Sequence, residues 1–590
     1  MSDNEGSDNE GSDSGGPDSA APSPRLSSRL KVVLCWHMHQ PQYRERPDGD
    51  YRLPWTYLHA IKDYTDMAAH LEAEPRARAV VNFAPTLLEQ LDDYARQVQA
   101  FLDDGQPIRD DLLAALAHPV LPVAMPERLA LVTQCLRANE GRLIRRFEHF
   151  ARLAEMARWH LRHPGGAIYL SDQYLVDLVV WYHLAWLGET VRRNDARVKD
   201  LIKKGEGYSA HDRHVLLGVI GELLAGIIPR YRRLAEQGRV ELSVTPYAHP
   251  IVPLLLDIHS AREAMPEARL PIMERYPGGE ERVRWHLREG IATFRHYFGF
   301  EPQGCWPSEG SVSTSAMAYF QEAGLRWVAS GGNVLHNSLR ATKPQVVADT
   351  QCAHRPYSVA GGSTACFFRD DGLSDLVGFT YSSWHADDAV ANLLNHLSNI
   401  AEACGRRDDA VVTIILDGEN AWEYYPENGY YFLNALYKGL AEHPLLEPTT
   451  FSAVLDAVPP RENLSRLVAG SWVYGTFSTW IGDPDKNRAW DMLGDAKLRF
   501  DEVMATSRLT ETQRAAAERQ LAICEGSDWF WWFGDYNPAE AVSDFERLFR
   551  LQLTTLYHVL GQEPPEYLSH VFAHGGGTPQ AGGVMRRGNQ

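Results

Sequence analysis

Seven cysteines are scattered along 590 residues, at positions 35, 135, 305, 352, 366, 404 and 524. The count is odd and no C-x-x-C pair occurs, so neither a disulfide framework nor a zinc ribbon is signalled. Positive charge is also scarce. Against 77 Asp and Glu stand 58 Lys and Arg, for a net charge of −19 and a pI near 5.6. That balance argues against a nucleic-acid or anionic-membrane surface, and a neutral substrate fits better than a polyanion. The N-terminus lacks a basic stretch running into an apolar one, which predicts no secretory signal and a cytoplasmic protein. Long hydrophobic runs are missing too. Residues 174–187 form the most apolar helix-like stretch, but Asp177 and His183 interrupt it and it is too short to span a bilayer. It reads as a buried helix. No Ser or Cys stands in a nucleophile-elbow pattern, and no phosphate loop or GxGxxG occurs.

Aromatic residues, by contrast, are plentiful, with 16 Trp and 25 Tyr, and the 44% hydrophobic content supports sizeable cores. A chain of this length predicts two or three packed units. Short apolar stretches at 31–36, 79–83, 238–244, 304–306, 326–329, 364–368 and 410–416 read as strands. Helical patterns alternate with them, which implies parallel strands joined by crossover helices.

The most informative stretch is 409–428, DAVVTIILDGENAWEYYPEN. Its Val- and Ile-rich start reads as a strand buried on both faces. It halts at Asp417-Gly418-Glu419-Asn420, and parallel sheets keep their chemistry at such carboxyl ends. Trp422, Tyr424 and Tyr425 follow, flat apolar faces on which a sugar ring stacks. Other strand ends supply His37, His39, Glu241, His249, Glu309, Asp370 and Asp371. Two reaction classes use such a set. Glycoside hydrolysis needs two carboxyl groups flanking the bond, with histidines and aromatics holding the sugar. Metal-assisted hydrolysis would use His37-x-His39 with a carboxylate as a zinc site. Residues two apart on a strand point to one side, so both imidazoles meet one ligand or one metal.

Four motifs together resemble glycoside hydrolase family 57. They are His37-Met38-His39-Gln40-Pro41, Gly238-Arg239-Val240-Glu241-Leu242, Trp306-Pro307-Ser308-Glu309 and Asp417-Gly418-Glu419, in the family's order. Likeness to its amylopullulanase and α-amylase-like members lies in residues 368–375, FRDDGLSD, and 525–535, EGSDWFWWFGD. The resemblance implies an α/β fold, an incomplete (β/α)7 barrel with helical additions, acting on α-glucans with retention of configuration. It places Glu309 as nucleophile and Asp417 as general acid/base. His37, His39, Glu241 and Trp306 would line the subsite around the cleaved bond. Pro307 departs from the family, where an apolar residue such as leucine is common. We further expect Gln40, His249, Arg369, Asp370, Glu419, Trp422, Trp472 and Trp529 among the substrate-binding groups. On this reading no metal or cofactor is required, and the partner is an α-glucan or maltooligosaccharide. A 4-α-glucanotransferase or branching enzyme is the sibling reading, and a zinc-dependent deacetylase or α-mannosidase-like hydrolase the rival one. The expected organisation is a disordered acidic tail at 1–29, a barrel at 30–451 with a helical insertion at about 99–237, a helical C-terminal domain at 452–572 and a flexible tail at 573–590.

Overall fold

The computed structural model describes residues 29–342, 352–405, 407–506 and 508–577. Nearly all of the expected acidic tail, and most of the expected C-terminal tail, lie outside the described residues.

Among the described residues, ten strands form one curled sheet. They are β1 (Leu30–Met38), β2 (Ala79–Phe83), β3 (Val240–Val244), β4 (Gly304–Cys305), β5 (Trp327–Ser330), β6 (Tyr357–Val359), β7 (Ala365–Phe368), β8 (Val411–Asp417), β9 (Leu446–Thr449) and β10 (Glu462–Leu464). Their order is β10-β6-β7-β5-β4-β3-β2-β1-β8, with β9 beside the start of β1. All pair in parallel except β6 with β7. Parallel neighbours need long crossovers, and helices supply them on the outer face of the sheet. The curl brings β7 against β8 without a regular ladder. There the Asp370 amide donates to the Thr413 carbonyl at 2.9 Å, and the Thr413 hydroxyl donates to the Phe368 carbonyl. The architecture is thus the incomplete (β/α)7 barrel expected from the resemblance.

The inside of the curl explains where the chemistry sits. Alternate strand residues point the same way. Val33 and Cys35 of β1, Ala365 and Phe367 of β7, and Val411 and Ile415 of β8 fill the interior with Trp327 and Ala329 of β5. Phe451 and Val454 of the helix Phe451–Ala457 join that cluster from below. One step further along the same inward rows stand His37, Arg369 and Asp417. The apolar fill therefore stops just before the strand ends, and polar groups take over there.

The long helical block between β2 and β3 begins at the helix Pro85–Asp104 and ends at Ala210–Glu236. By length and composition alone the latter could cross a membrane; here it packs along Pro85–Asp104. Toward the C-terminus the helices Pro484–Met504, Glu511–Cys524, Ser527–Trp532 and Ala539–Val559 cover one side. The region expected to be helical from 452 also holds β10, which pairs with β6. The sheet thus continues past residue 451.

Candidate active site

A cavity of about 670 Å³ opens at the carboxyl ends of β1, β7 and β8. His37, His39, Gln40, Glu309, Arg369, Asp417, Glu419 and Trp472 all line it. His249 lies just beneath, fully buried.

Glu309 is delivered by a strained turn. Pro307, at φ −57, takes a value its ring imposes anyway, so this departure from the family stiffens the turn. Glu309 itself is left-handed, with φ 58 and ψ 25. For a residue with a Cβ that costs on the order of 1–3 kcal/mol and persists only where the surroundings enforce it. Here they do. The Trp472 amide donates to the Glu309 carbonyl at 3.0 Å, and the Ser330 hydroxyl to the Gly310 carbonyl at 2.6 Å. Gly310, also at positive φ, lies so near Trp306 that a Cβ there would stand 2.9 Å from the indole. The Trp472 indole N–H then donates to Glu309 Oε2 at 3.0 Å. Trp472 therefore grips both the backbone and the carboxyl of Glu309.

Burial raises both carboxyls. Glu309 is held well above the usual range, first by burial and then by the charge of Asp417, with the Trp472 N–H pulling it down. Asp417 is pushed up to about 6 by burial, while Asn420, His39 and Arg369 act in the opposite sense. Glu419 is also raised well above the usual range, by burial and by Asp417. One of its oxygens accepts from Gln40 at 3.1 Å and from Tyr64 at 3.2 Å. The other, although buried, has no protein partner among the described residues, and neither has His39 Nδ1. Buried polar atoms of this kind call for an explanation, and a hydroxyl-rich ligand in the cavity provides one. Arg369 has its guanidinium committed to Asp371 at 2.8 Å, Asp375 at 2.9 Å and the Ile415 carbonyl at 2.8 Å. It also lies over the Trp472 ring at 5.4 Å.

Three imidazoles form the floor. His37 Nδ1 meets Asn82 Oδ1 at 2.6 Å, His249 Nδ1 meets Ser527 Oγ at 2.8 Å, and His39 Nε2 meets Asp528 Oδ1 at 2.7 Å. Burial, reinforced by His39, lowers His37 to about 3 and takes His249 well below the usual range. Their ligand atoms lie within 4.8 Å of one another, close enough to raise the question of a metal ion. The ring planes answer it. All three are within 15° of parallel, and His39 stacks on His249 with centroids 3.9 Å apart. An imidazole binds metal through a lone pair in its own plane, and two stacked planes do not share one ion. The His37–His249 contact, Nε2 to Nε2 at 3.2 Å, fits an N–H···N hydrogen bond.

Besides His249, five residues expected at the site do not reach the cavity. Glu241 pairs in register with Val80, which pairs with Cys35, so it belongs to the layer below His37 and Asn82. Its carboxylate accepts from Trp327 Nε1 at 2.7 Å and from the Ser452 amide at 3.0 Å. Trp306 is completely buried under the Glu309 turn. Asp370 caps the helix Asp371–Asp375 and pairs with His354 at 3.0 Å. Trp422, expected to stack on sugar, instead packs edge-on against Trp36 at 5.7 Å and donates to the Gly418 carbonyl. Trp529 is likewise core, 1% exposed, and donates to the Ile523 carbonyl. Its neighbours Trp531 and Trp532, together with Tyr424, do line the cavity.

Sequence reasoning missed Asp528, whose carboxylate holds His39, and the cavity-lining Trp55, His59, Trp186 and Glu423. Asp528 lay in a recognised motif. Glu423 lay in the stretch 409–428 already singled out, whereas Trp55, His59 and Trp186 stand in helical stretches whose local pattern gives no sign of a cavity.

The model of the family described as Glycosyl hydrolase family 57 matches residues 33–465. The 1,4-alpha-glucan branching enzyme TK1436 of Thermococcus kodakarensis is 25% identical over 369 residues, 51% of this chain and 51% of that protein. The chain thus spans about half the length of the curated relative it matches. Among solved structures, a branching enzyme from Thermococcus kodakaraensis aligns with TM-score 0.54 and 16% identity over 90% of each chain. The α-amylase AmyC from Thermotoga maritima aligns with TM-score 0.52 and 14% identity, over 92% of this chain and 96% of that one. At such identities these structures speak for the fold alone. With the family match covering most of the barrel, the chain belongs to glycosyl hydrolase family 57.

Proposed function

We propose that this protein is a retaining enzyme acting on α-glucans, with Glu309 as nucleophile and Asp417 as general acid/base. The observation that carries this reading is the meeting of these two carboxyls, 108 positions apart by subtraction, at one cavity, where each responds to burial and Glu309 responds to the charge of Asp417. In the first step a Glu309 oxygen attacks C1 of a glucosyl unit while the Asp417 proton passes to the departing glycosidic oxygen. In the second, water or a sugar hydroxyl attacks C1, the C1–O bond to Glu309 breaks, and Asp417 takes up the proton.

The mechanism needs an ionised Glu309 and a protonated Asp417, whereas burial raises both carboxyls. A proton on Asp417 removes the repulsion that opposes ionisation of Glu309. The Trp472 N–H and the developing positive charge at C1 then favour the carboxylate. The finer type, amylase or amylopullulanase against transferase or branching enzyme, turns on which acceptor takes the glucosyl unit.

Proton NMR of maltoheptaose or amylose digests tests the proposal. The first-formed product should be the α-anomer, with mutarotation following later. A β-anomer formed first, or no turnover of any α-glucan, would rule the reading out.

A further inference from the structure

One wall of the cavity has no part in the chemistry described so far. In the connection between β1 and β2, the helix Trp55–His59 continues into a wider turn, Ala60–Tyr64. Trp55 and His59 meet Trp186 of the insertion in a three-ring corner. Ring centroids lie 6.0 Å apart for Trp55–Trp186, 6.4 Å for Trp55–His59 and 5.7 Å, at 90°, for His59–Trp186. Trp55 and His59 face the cavity, while Trp186, 1% exposed, backs them at its edge.

The corner is held from behind by charges that are costly to bury. His59 Nδ1 is engaged by Asp63 Oδ2 at 2.7 Å, which leaves Nε2 for the cavity. The other Asp63 oxygen accepts from Lys62 Nζ at 2.6 Å, and Lys62 also donates to Asn428 at 3.1 Å. Lys62 is 1% exposed and Asp63 not at all. Hydrophobic residues would fill such a space at less desolvation cost. Here the buried carboxylate fixes the orientation of one imidazole.

Its position relative to Asp417 gives the corner a meaning. Glu423, which also lines the cavity, stands on the turn Asn420–Tyr424 that directly follows Asp417 and Glu419. Lys62 and His59 both act on its carboxyl, against the burial that raises it. Tyr64, at the end of the wider turn, donates to Glu419 at 3.2 Å. The corner is therefore built onto the loop that carries the acid/base. Glu309 is framed instead by Trp472, Trp306 and His249. Asp417 must touch the glycosidic oxygen, so the sugar on the leaving side of the bond lies against its loop.

We propose that Trp55, His59 and Glu423, backed by the buried Trp186, form the subsite for the glucosyl unit on the leaving and acceptor side. The Trp55 face would stack on the ring, while His59 Nε2 and the Glu423 carboxyl bond its hydroxyls. The proposal rests on the α-glucan reading above. In the transfer step, an acceptor hydroxyl held here attacks C1, the C1–O bond to Glu309 breaks, and the hydroxyl proton goes to Asp417.

The test uses an aryl α-maltooligosaccharide as donor and maltotriose as acceptor, with the full-length protein, His59→Ala and Glu423→Gln. Aryl release reports the first step; chromatography gives the ratio of transfer product to hydrolysis product. Losing a hydrogen bond at this subsite should lower that ratio about tenfold and raise the maltotriose KM in proportion. Glu423→Gln carries the test alone should His59→Ala fail to fold. An unmoved ratio in a folded variant overturns the subsite while aryl release by the wild type upholds the enzyme reading. So does a wild type that releases aryl yet forms no transfer product at saturating maltotriose. A wild type that releases no aryl group overturns the α-glucan reading and the subsite with it.

Discussion

At the scale of single residues, the raised carboxyl of Asp417 makes opposite demands on catalysis and stability. In the proposed mechanism Asp417 must carry its proton, so kcat/KM should decline as pH rises beyond about 6. Burial penalises the charged form, so the folded value of about 6 exceeds the usual 3.8. The stability linked to this group is then complete below the usual value and lost as pH rises through about 6. Asp417→Asn should therefore lose turnover by several orders of magnitude. It should nevertheless melt higher than the wild type at pH 7, by an amount on the order of 1–2 kcal/mol, and the advantage should vanish near pH 4. Calorimetry at the two pH values checks this, and equal melting at both would count against it. Trp472→Phe tests the grip on Glu309. Without the indole N–H the carboxylate is less favoured, so the acid limb of the kcat/KM profile should move to higher pH. A uniform drop with an unshifted limb would make Trp472 a packing residue only.

At the scale of elements, the segment after the helix Glu511–Cys524 completes the site from the C-terminal side. Glu525 is fully buried and accepts from Arg282 at 2.9 Å, His286 at 2.7 Å and Tyr276 at 2.6 Å. These partners hold its carboxyl down at about 2 despite burial. Gly526 follows, where a Cβ would stand 2.8 Å from the Ala248 carbonyl. Then the Ser527 amide donates to the His249 carbonyl at 2.9 Å, and Asp528 holds His39. Gly526 and Ser527 thus lock the loop of His249 to the C-terminal helices, while Glu525 ties in the helix Gly279–Phe298 and Asp528 the end of β1. Glu525→Gln leaves Arg282 buried beside a neutral amide, which should cost on the order of 3–5 kcal/mol in urea unfolding and lower kcat as well. Wild-type stability in that variant would show that the network is dispensable. The sequence of this segment was recognisable as a motif, but its partners lie more than 200 positions away and nothing local names them.

At the scale of the whole molecule, the barrel separates stability at its base from chemistry at its mouth. Glu241 ties Trp327 to the helix Phe451–Ala457, which packs against the lower interior. Glu241→Ala should therefore lower Tm by several degrees yet leave kcat/KM of the folded protein within a few fold. A selective loss of kcat/KM would return Glu241 to the site. Prolonged chelation should leave glucan turnover unchanged, because the stacked imidazoles suit hydrogen bonding better than coordination. Activity that is lost and then restored by zinc alone would transfer the mechanism to the histidines. The sequence by itself determined seven of the strands, among them β2 at its observed bounds and β8 within one residue. It also determined that His37 and His39 share a side and that Glu309 and Asp417 follow strands. Apolar continuity and alternation are local properties of a chain, so they are written in it. β6 (YSV), β9 (LEPT) and β10 (ENL) mix polar residues or proline into their few positions and so show no apolar run. Only the tertiary structure decided that Glu241 lies one layer below the site, because depth depends on register between strands. It alone placed Trp422 and Trp529 in the core and Trp55 on the cavity wall. Any indole contributes the same hydrophobicity to a local pattern; which face it shows to a cavity is settled by segments that fold against it from far along the chain.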